Sequence, residues 1–590
     1  MKFFGITALP FSLHLPLGLD DHSALLTHVD SRHHIRSTLY DLSKEPASFK
    51  EVMTRLDADA WCAAMEREKN SLEKMGAFEE VDLPKGEWTI GLKWVYAYKK
   101  NAEGANILEK ARVVAQGFNQ KPGQFDQTYA PVAKMASVRI LLTWAAVRDL
   151  DIFQFDCKTA FLHAKLRHPN YARQFLGYTL KDPTKVLRIL VALYGLRQSA
   201  YEFYTLFMSL LVDIGMIRCE VDHGVFFGEW RSPPDPSIPM PPNGDPLVLY
   251  TPIHVDDGLA ITNSPSLYRW FLHMLRKTLL IVDLGECSKF LSIVLTRDRP
   301  NRRLWLSSHV YVHGLLKEWR LLAAAYPKTP FPHNINERQT VPPNALPTIP
   351  DDELTAKYQH LVGCFMYLAV TTRPDIAYYA TWLGQFSAHP TRFHMLAAKH
   401  VLRYLGGTRL LALSLGVSSA PVPLSLTGYM QNMGCSDADW ASDASDRKSI
   451  SGYSFFFQGS LVSWSSVKQK SIALSSTEAE YYAMIHAFKE ALWLWVFLGF
   501  LKLPVPHPFP ILSDNQAACS LSASPAISAR SKHIDIRHHF IRAHVQDGSF
   551  TTTWIPTTDM PADIFTKPLD TTLFTKHRDV LGLSIPFSTS

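Results

Sequence analysis

From residue 48 onward, apolar side chains recur at helical spacing: Trp61, Met65, Leu72 and Met75 stand among Glu and Lys, which predicts a helix ending near Gly76. The stretches EWTIGLKWVYAYKK and EKARVVAQGFNQ then read as two strands joined at NAEG. Residues 138–150, VRILLTWAAVRDL, predict an amphipathic helix. It leads into DIFQFDCKTAFLHAKL, where Asp156 closes an alternating apolar run, as a carboxylate does at the end of a buried strand. Residues 186–215 give a strand, a turn at LYGLRQS and a helix over YEFYTLFMSLLVDIG. The chain is organised around residues 249–260, LYTPIHVDDGLA. There apolar residues flank Asp256 and Asp257, Gly258 follows at once, and the pattern is strand, tight turn, strand, anchored by Ile253, Val255, Leu259 and Ile261. Beyond it the pattern predicts a helix over 266–279, a strand pair within KFLSIVLTRDRPNRRLWLS, a helix over 309–322 and helical segments over 351–407. Strands and helices alternate from about 428 to 568, as in an α/β unit.

Two proline-rich stretches punctuate this series: 230–246 reads as a loop or insertion and 327–350 as an interdomain linker. Residues 1–45 show no period and read as an irregular leader. At 590 residues and 47% hydrophobic content the chain can bury several cores, which excludes overall disorder and favours three or four domains. The formal charge of +6 is mild for a nucleic-acid binder, so local distribution has to carry that argument. Between residues 91 and 121, Lys93, Lys99, Lys100, Lys110, Arg112 and Lys121 face only Glu103 and Glu109. Such a hairpin suits phosphate contacts, although a solvated strand face has the same composition. Seven scattered cysteines with no CxxC pair argue against a zinc ribbon or a disulfide framework and for reduced, buried thiols. Pro10, His14 and Pro16 interrupt the apolar N-terminal run, which argues against a signal peptide. The longest apolar run, 491–501, is 11 residues and short of the roughly 20 a bilayer requires. The expectation is an intracellular protein of cytoplasm or nucleus, not secreted, with no membrane partner.

Adjacent like charges at Asp256 and Asp257 are costly unless a cation lies between them. Taken alone, Asp-Asp-Gly is equally a polar turn, and an N-cap is the lesser alternative for Asp156. The run KHIDIRHHFIRAH carries four histidines, but no cysteine lies near to complete a structural zinc site. It reads better as a basic helix facing nucleic acid, with Arg530, Lys532, Arg537 and Arg542 against Asp535 alone.

The order of the motifs goes further. KWVYAYKK, EKARVVAQGFNQ, YAPVAKMASVRILL, FQFDCKTAFLHAKL, LYGLRQS, HVDDG and LGECSKFL follow one another as in the reverse transcriptase of copia-type (Pseudoviridae) retrotransposons. TRPDIAY, LRYLGGT, CSDADWASD, SWSSVKQKSIALSSTEAEYYA, SDNQAA, KHIDIRHHFIR and ADIFTKPL resemble the connection region and ribonuclease H domain of the same family. The resemblance covers roughly 46–570 and corresponds to the C-terminal half of such a polyprotein, without recognisable capsid, protease or integrase parts.

The resemblance implies an α+β fold: a right-hand polymerase of fingers, palm and thumb over 46–325, a linker over 326–350, a connection region over 351–427, an α/β ribonuclease H-like domain over 428–570 and a tail over 571–590. It implies DNA synthesis on RNA and DNA templates, with cleavage of the RNA strand of RNA/DNA hybrids. The partners are then an RNA template, a DNA primer and product, the hybrid and deoxynucleoside triphosphates, and two Mg2+ per active site, replaceable by Mn2+, are the cofactors. Oligomeric state is left open. In the polymerase site Asp156 and Asp256 are the implied metal ligands and Asp257 completes the acidic cluster. Phe161 stands where the family carries an aromatic that excludes a ribose 2′-hydroxyl, although an ordinary core phenylalanine would look the same. Lys99 and Arg112 match the triphosphate contacts of the fingers, and Gly195, Arg197 and Gln198 the motif lining nucleotide and template. In the ribonuclease H site the implied metal ligands are Asp437, Glu480, Asp514 and Asp563, with Asp439 and Glu478 as the competing choices.

Four positions depart from the family pattern: His254 replaces Tyr before Val-Asp-Asp, Phe175 and Ala200 replace Pro, and Ser292 replaces the Gly that permits close backbone approach. None removes a proposed metal ligand. They leave a second reading, an inactive retroelement remnant or a repurposed nucleic-acid-binding protein.

Overall fold

In the computed structural model, which describes residues 44–587 apart from 101–105, 179–181, 183, 332–351, 418–421, 442–445 and 525–534, the chain forms two units, Met1–Asn119 with Asn170–Ile189, and Gln120–Pro169 with Leu190–Ser590. Most of the expected leader and linker lie outside the described residues.

The first unit holds α1 (Ala58–Lys74), β1 (Phe78–Val81), β2 (Thr89–Ile90), β3 (Leu92–Lys100) and β4 (Asn106–Ala115). In the antiparallel β3–β4 ribbon Val95 lies opposite Arg112, Ala97 opposite Lys110 and Lys99 opposite Leu108. Opposed residues share a face and alternate residues share it too, so Lys93, Lys99, Lys110 and Arg112 line one face. Trp94, Tyr96, Ala111 and Val113 are buried on the other, where the Trp61 ring of α1 meets Tyr96 at 5.5 Å and Tyr98 at 5.0 Å. The basic and apolar alternation in the sequence is the cause of this two-faced ribbon.

Chain order continues with α2 (Met135–Arg148), β5 (Asp151–Cys157), β6 (Lys165–Ala172), β7 (Val186–Val191), α3 (Ser199–Asp213), β8 (Ile217–Arg218), β9 (Val225–Trp230), β10 (Leu247–His254), β11 (Asp257–Thr262), α4 (Pro265–Arg276) and β12 (Ile281–Glu286). The first unit's sheet has the order β1-β7-β6-β2. The second unit carries the palm sheet, six strands in the order β12-β5-β11-β10-β9-β8. Its two faces alternate residue by residue: Phe155, Leu249, Ile253 and Ala260 pack with Phe203, Phe207 and Phe271 of α3 and α4, while Ile152, Tyr250, Leu259 and Ile261 pack with Leu141 and Leu142 of α2.

Helix α2 differs from expectation. An amphipathic helix would keep one solvated face, yet Ala136 through Thr143, Ala145 and Ala146 are all buried. The reason is a second layer, formed by β13 (Lys289–Phe290), β14 (Ile293–Asp298), β15 (Arg303–Ser307), α5 (His309–Glu318), α6 (Asp352–Thr371), α7 (Ala377–Gly384), α8 (Arg392–Gly407) and β16 (Ala412–Gly416), with strands of the next domain beyond it. Arg139, on α2, is inside this sandwich: Nε donates to the Val462 carbonyl at 2.7 Å and Nη1 to those of Val370 and Thr371 at 2.8 and 3.1 Å. Two of the recurring motifs meet here as one network, because Arg373 of TRPDIAY pairs with Asp375 at 2.7 Å and Tyr404 of LRYLGGT donates its hydroxyl to the same carboxylate at 2.6 Å.

The ribonuclease H-like part consists of β17 (Asn432–Asp439), β18 (Ile450–Phe457), β19 (Ser460–Lys468), α9 (Ser476–Phe500), β20 (Phe509–Ser513), α10 (Gln516–Ala523), α11 (Asp535–Gln546) and β21 (Phe550–Trp554). Its sheet has the order β19-β18-β17-β20-β21. The first three strands are an antiparallel meander and only the last two are parallel additions, so strands and helices alternate in the second half alone. Helix α9 is long and apolar enough to cross a membrane by length and composition, and here it packs on β17 and β18. Its outer flank meets the palm: Trp493 Nε1 donates to the Val221 carbonyl at 3.1 Å, the Lys134 ammonium sits 4.1 Å from that indole, and Lys502 pairs with Glu229 at 2.9 Å. Burial on two sides accounts for the apolar run at 491–501. The expected tail is also structured. Helix α12 (Thr571–Val580) and β22 (Leu583–Ser584) return to pair with β16, Leu583 opposite Leu413.

Candidate functional site

Asp156, at the end of β5, lies directly opposite Asp257 at the start of β11, and the Asp256 carbonyl accepts from the Cys157 N–H at 3.0 Å. The palm thus brings the three polymerase carboxylates together at the ends of its central strands. The turn itself is Val255–Asp256, flanked by the pair His254 and Asp257. Gly258 is not its hinge. Val255 has φ +62°, a left-handed conformation that a β-branched residue rarely adopts, while Gly258 sits in the strand opposite Phe155, where an added Cβ would lie 2.2 Å from the ring. The glycine is needed for close approach. Burial first, then Asp256 and Asp156, pushes the Asp257 carboxyl up to about 6. Burial pushes the His254 imidazole down.

Phe161 follows in a short 3-10 turn, with its ring 4.8 Å from that of Tyr194 and 6.3 Å from that of Phe203. Gly195 takes φ +90° in the turn before α3. Arg197 is set over the Phe125 ring at 5.1 Å, and its N–H donates to Gln120 at 2.9 Å. Gln198 turns inward: buried, it accepts from the Gln120 amide at 3.0 Å and donates to the Gln124 carbonyl at 3.1 Å. Those bonds brace the turn. Lys99 and Arg112 stand on the basic face of the β3–β4 ribbon in the first unit.

The second carboxylate group forms from four separated elements. Parallel pairing of Cys435 with Leu512 sets Asp437 of β17 level with Asp514 just beyond β20. Glu480 enters from α9. Its rival Glu478 is taken up at the helix start, accepting from the Leu474 N–H at 2.7 Å and the Tyr482 hydroxyl at 2.9 Å. Among the described residues, Asp437, Glu480 and Asp514 alone form a group of three potential ligands whose atoms lie within 4.8 Å of one another. Asp439 is two residues farther along β17, at the strand end.

Asp437 and Glu480 are 1% and 7% exposed, and Glu480 Oε2 is buried without a partner. Burial, then Asp437 and Asp514, raises the Glu480 carboxyl well above its ordinary range. Asp514 is raised by burial and Asp437, while the Thr557 hydroxyl, donating at 2.7 Å, pulls it back. Asp563, in the 3-10 turn Pro561–Phe565, is pushed up to about 8 by burial and by Asp437. Buried hard oxygens with excess negative charge and an unpartnered lone pair fit a divalent cation such as Mg2+.

Two residues at this site escaped sequence reasoning. The Thr566 hydroxyl donates to the Asp437 carboxylate, and Lys567 pairs with Asp563 at 2.9 Å. Both follow Asp563 by one helical turn in ADIFTKPL, and that spacing was the available signal. The basic residues of the expected helix fall largely outside the described residues. Arg530, Lys532 and the side chain of Arg537 lie outside the described residues, and Arg542 is 7% exposed, with its charge acting on the Tyr481 hydroxyl of α9. It flanks Ile541, whose burial sets that face of α11 toward the interior.

A family model described as "Reverse transcriptase (RNA-dependent DNA polymerase)" matches residues 75–332. The Retrovirus-related Pol polyprotein from transposon TNT 1-94 of Nicotiana tabacum is 35% identical over 562 residues, covering 94% of this chain and 40% of that protein. The Putative transposon Ty5-1 protein YCL074W of Saccharomyces cerevisiae is 31% identical over 328 residues, 55% of this chain and 96% of that one. The foamy viral protease-reverse transcriptase, solved in complex with double-stranded DNA, aligns with TM-score 0.43 and 12% identity over 84% of this chain and 69% of its own. The chain spans 40% of the tobacco Pol polyprotein and 35% of that from transposon RE1 of Arabidopsis thaliana. With the palm carboxylates, the ribonuclease H-like sheet and full-length correspondence to the yeast relative together, the chain belongs to the copia-type retrotransposon Pol family of reverse transcriptases.

Proposed function

We propose that the chain is an RNA-directed and DNA-directed DNA polymerase with ribonuclease H activity, acting on a primed template and on RNA/DNA hybrid. The observation that carries this reading is the pairing of Asp156 against the Asp256–Asp257 turn, three half-buried carboxylates brought together at the ends of adjacent central strands. Asp156 and Asp256 would hold Mg2+ there, and Asp437, Glu480, Asp514 and Asp563 would hold it in the second site. When bound, the metal supplies the positive charge that stabilises attacking and leaving oxygens in an in-line displacement at phosphorus.

The chain's own residues do the rest. Asp257, raised to about 6, is partly protonated in mildly acidic solution and ionised at pH 8, so the polymerase cluster gains charge as pH rises. The rigid Val255 conformation fixes where Asp256 projects. Phe161, braced by Tyr194 and Phe203, is an aromatic wall five residues from Asp156 and supports selection of deoxynucleotides. Lys99 and Arg112, on the basic face of the first unit's ribbon, carry the kind of charge that phosphate contacts use.

The test is primer extension on an RNA template with purified chain and Mg2+, beside hydrolysis of a labelled RNA/DNA hybrid. Asp256→Asn should abolish extension and leave hybrid cleavage, and Asp437→Asn should do the reverse. Salt-sensitive hybrid binding without Mg2+-dependent turnover in either assay refutes the enzyme reading in favour of a binding remnant.

A further inference from the structure

Lys567 pairs with Asp563 beside the ribonuclease H carboxylate group, and its charge acts on all the raised members: Glu480, Asp514 and Asp563. Its ammonium lies 2.9 Å from Asp563 Oδ1, and Asp563 is 0% exposed. The turn that carries both is closed by the backbone, the Thr566 and Lys567 N–H groups donating to the Asp563 carbonyl at 3.2 and 3.3 Å. The ammonium is therefore tethered within reach of the site. The Lys567 side chain is 36% exposed, which leaves it a route to solvent that its buried partner lacks. Glu480 Oε2 has no partner, so a cation has an oxygen to bind that the lysine does not satisfy.

We propose that Lys567 is a resident counter-cation of this group: it keeps the carboxylates assembled before metal binds, and it must yield Asp563 to an incoming divalent cation, which sets the metal affinity of the site. The inference rests on the reading of Asp437, Glu480, Asp514 and Asp563 as a Mg2+ site. Its physical basis is competition. A lysine at hydrogen-bond distance and a hard cation at about 2.1 Å draw on the same carboxylate lone pairs and repel one another. Removing the lysine charge should strengthen metal binding and weaken the metal-free fold, whereas a lysine that only filled space would change neither in that combination.

The experiment measures Mn2+ binding to the full chain by the electron paramagnetic resonance of free Mn2+, in an Asp256→Asn background that removes the polymerase contribution. Lys567→Gln should bind Mn2+ about tenfold more tightly or better, and Lys567→Arg, which retains the charge, should stay near the parent. In EDTA the thermal midpoint of Lys567→Gln should fall, and Mg2+ should restore it. A chain that folds only with Mg2+ also supports the proposal. If the Gln variant folds under neither condition, the Arg variant decides, and tighter Mn2+ binding by Arg overturns the proposal. Affinity for Lys567→Gln within twofold of the parent, or weaker, overturns it while leaving the metal site standing. Unchanged Mn2+ binding in Asp437→Asn refutes the metal reading of the group, and the inference with it.

Discussion

Replacing Arg139 with Met keeps an apolar stem as far as the Nε position and removes the guanidinium from the interior of the second unit. Three carbonyls lose their donor. Those of Val370 and Thr371 end α6, where helical carbonyls have no intrahelical partner and a cation is favoured by the helix dipole. The third, Val462, belongs to β19 of the ribonuclease H-like sheet. The guanidinium carbon also lies 3.9 Å from the centre of the Trp464 ring, and Glu490 supplies countercharge. Burial pushes the Arg139 group down to about 9, still above neutral pH, so it remains cationic. Each stranded buried acceptor costs about 1–3 kcal/mol, and breaking a buried charge arrangement typically costs about 3–5 kcal/mol in all. We expect a loss in that range for Arg139→Met and a smaller one for Arg139→Lys, whose single ammonium cannot reach three carbonyls. The assay is urea unfolding of the full chain, where such a loss moves the midpoint by about 1 M or more at an m-value of about 3 kcal/mol/M. Because this fork ties α2 and the end of α6 to β19, the variant should also unfold its ribonuclease H-like sheet ahead of the palm. A midpoint within about 0.3 M of wild type, with one transition, refutes the reasoning.

Ser292 occupies a position with φ +67°, so Ser292→Gly should raise the thermal midpoint by removing about 1–2 kcal/mol of left-handed strain against about 0.5–1 kcal/mol of added chain entropy; a lowered midpoint counts against it. Gly258→Ala drives a Cβ into Phe155, whose ring is confined by Phe207 and Phe271, and should cost about 1–3 kcal/mol. Its primer extension should fall at least about tenfold while hybrid cleavage persists, and equal loss of both activities refutes a local effect. The buried His577 imidazole is pushed down to about 4 by burial and by Lys576 and Lys567, so below pH 6.5 the unfolded chain takes up a proton that the folded one refuses. Stability from this group is present above pH 6.5 and is lost as pH falls toward 4, by about 3 kcal/mol at most. His577→Gln should flatten that acid limb in pH-dependent melting, and an unchanged slope contradicts the assignment.

How much of this was legible depended on the reach of each interaction. The 249–260 hairpin is readable because strand, turn and strand are contiguous, but Val255, expected as a strand anchor, is the left-handed residue of the turn, and Gly258 serves the close approach to Phe155 of another strand. Helix α2 was found, but its all-round burial was not, since the Val462 carbonyl bound by Arg139 is 323 residues away and local periodicity carries no trace of it. The ribonuclease H carboxylates came from motif order. Nothing local says that β20 runs parallel to β17 and brings Asp514 level with Asp437, or that Glu478 is absorbed in starting α9 and leaves Glu480 to face the sheet. Lys567 lay in plain view inside ADIFTKPL. A carboxylate four residues before a lysine on a tight turn is an ordinary surface ion pair when solvated, worth little, and the same pair carries more weight once the carboxylate is fully buried near Asp437 and Asp514. Spacing alone cannot distinguish the two cases. What distinguishes them is burial, which is a property of the assembled sheet, and so the residue most exposed to reading was the one whose role depended most on the fold.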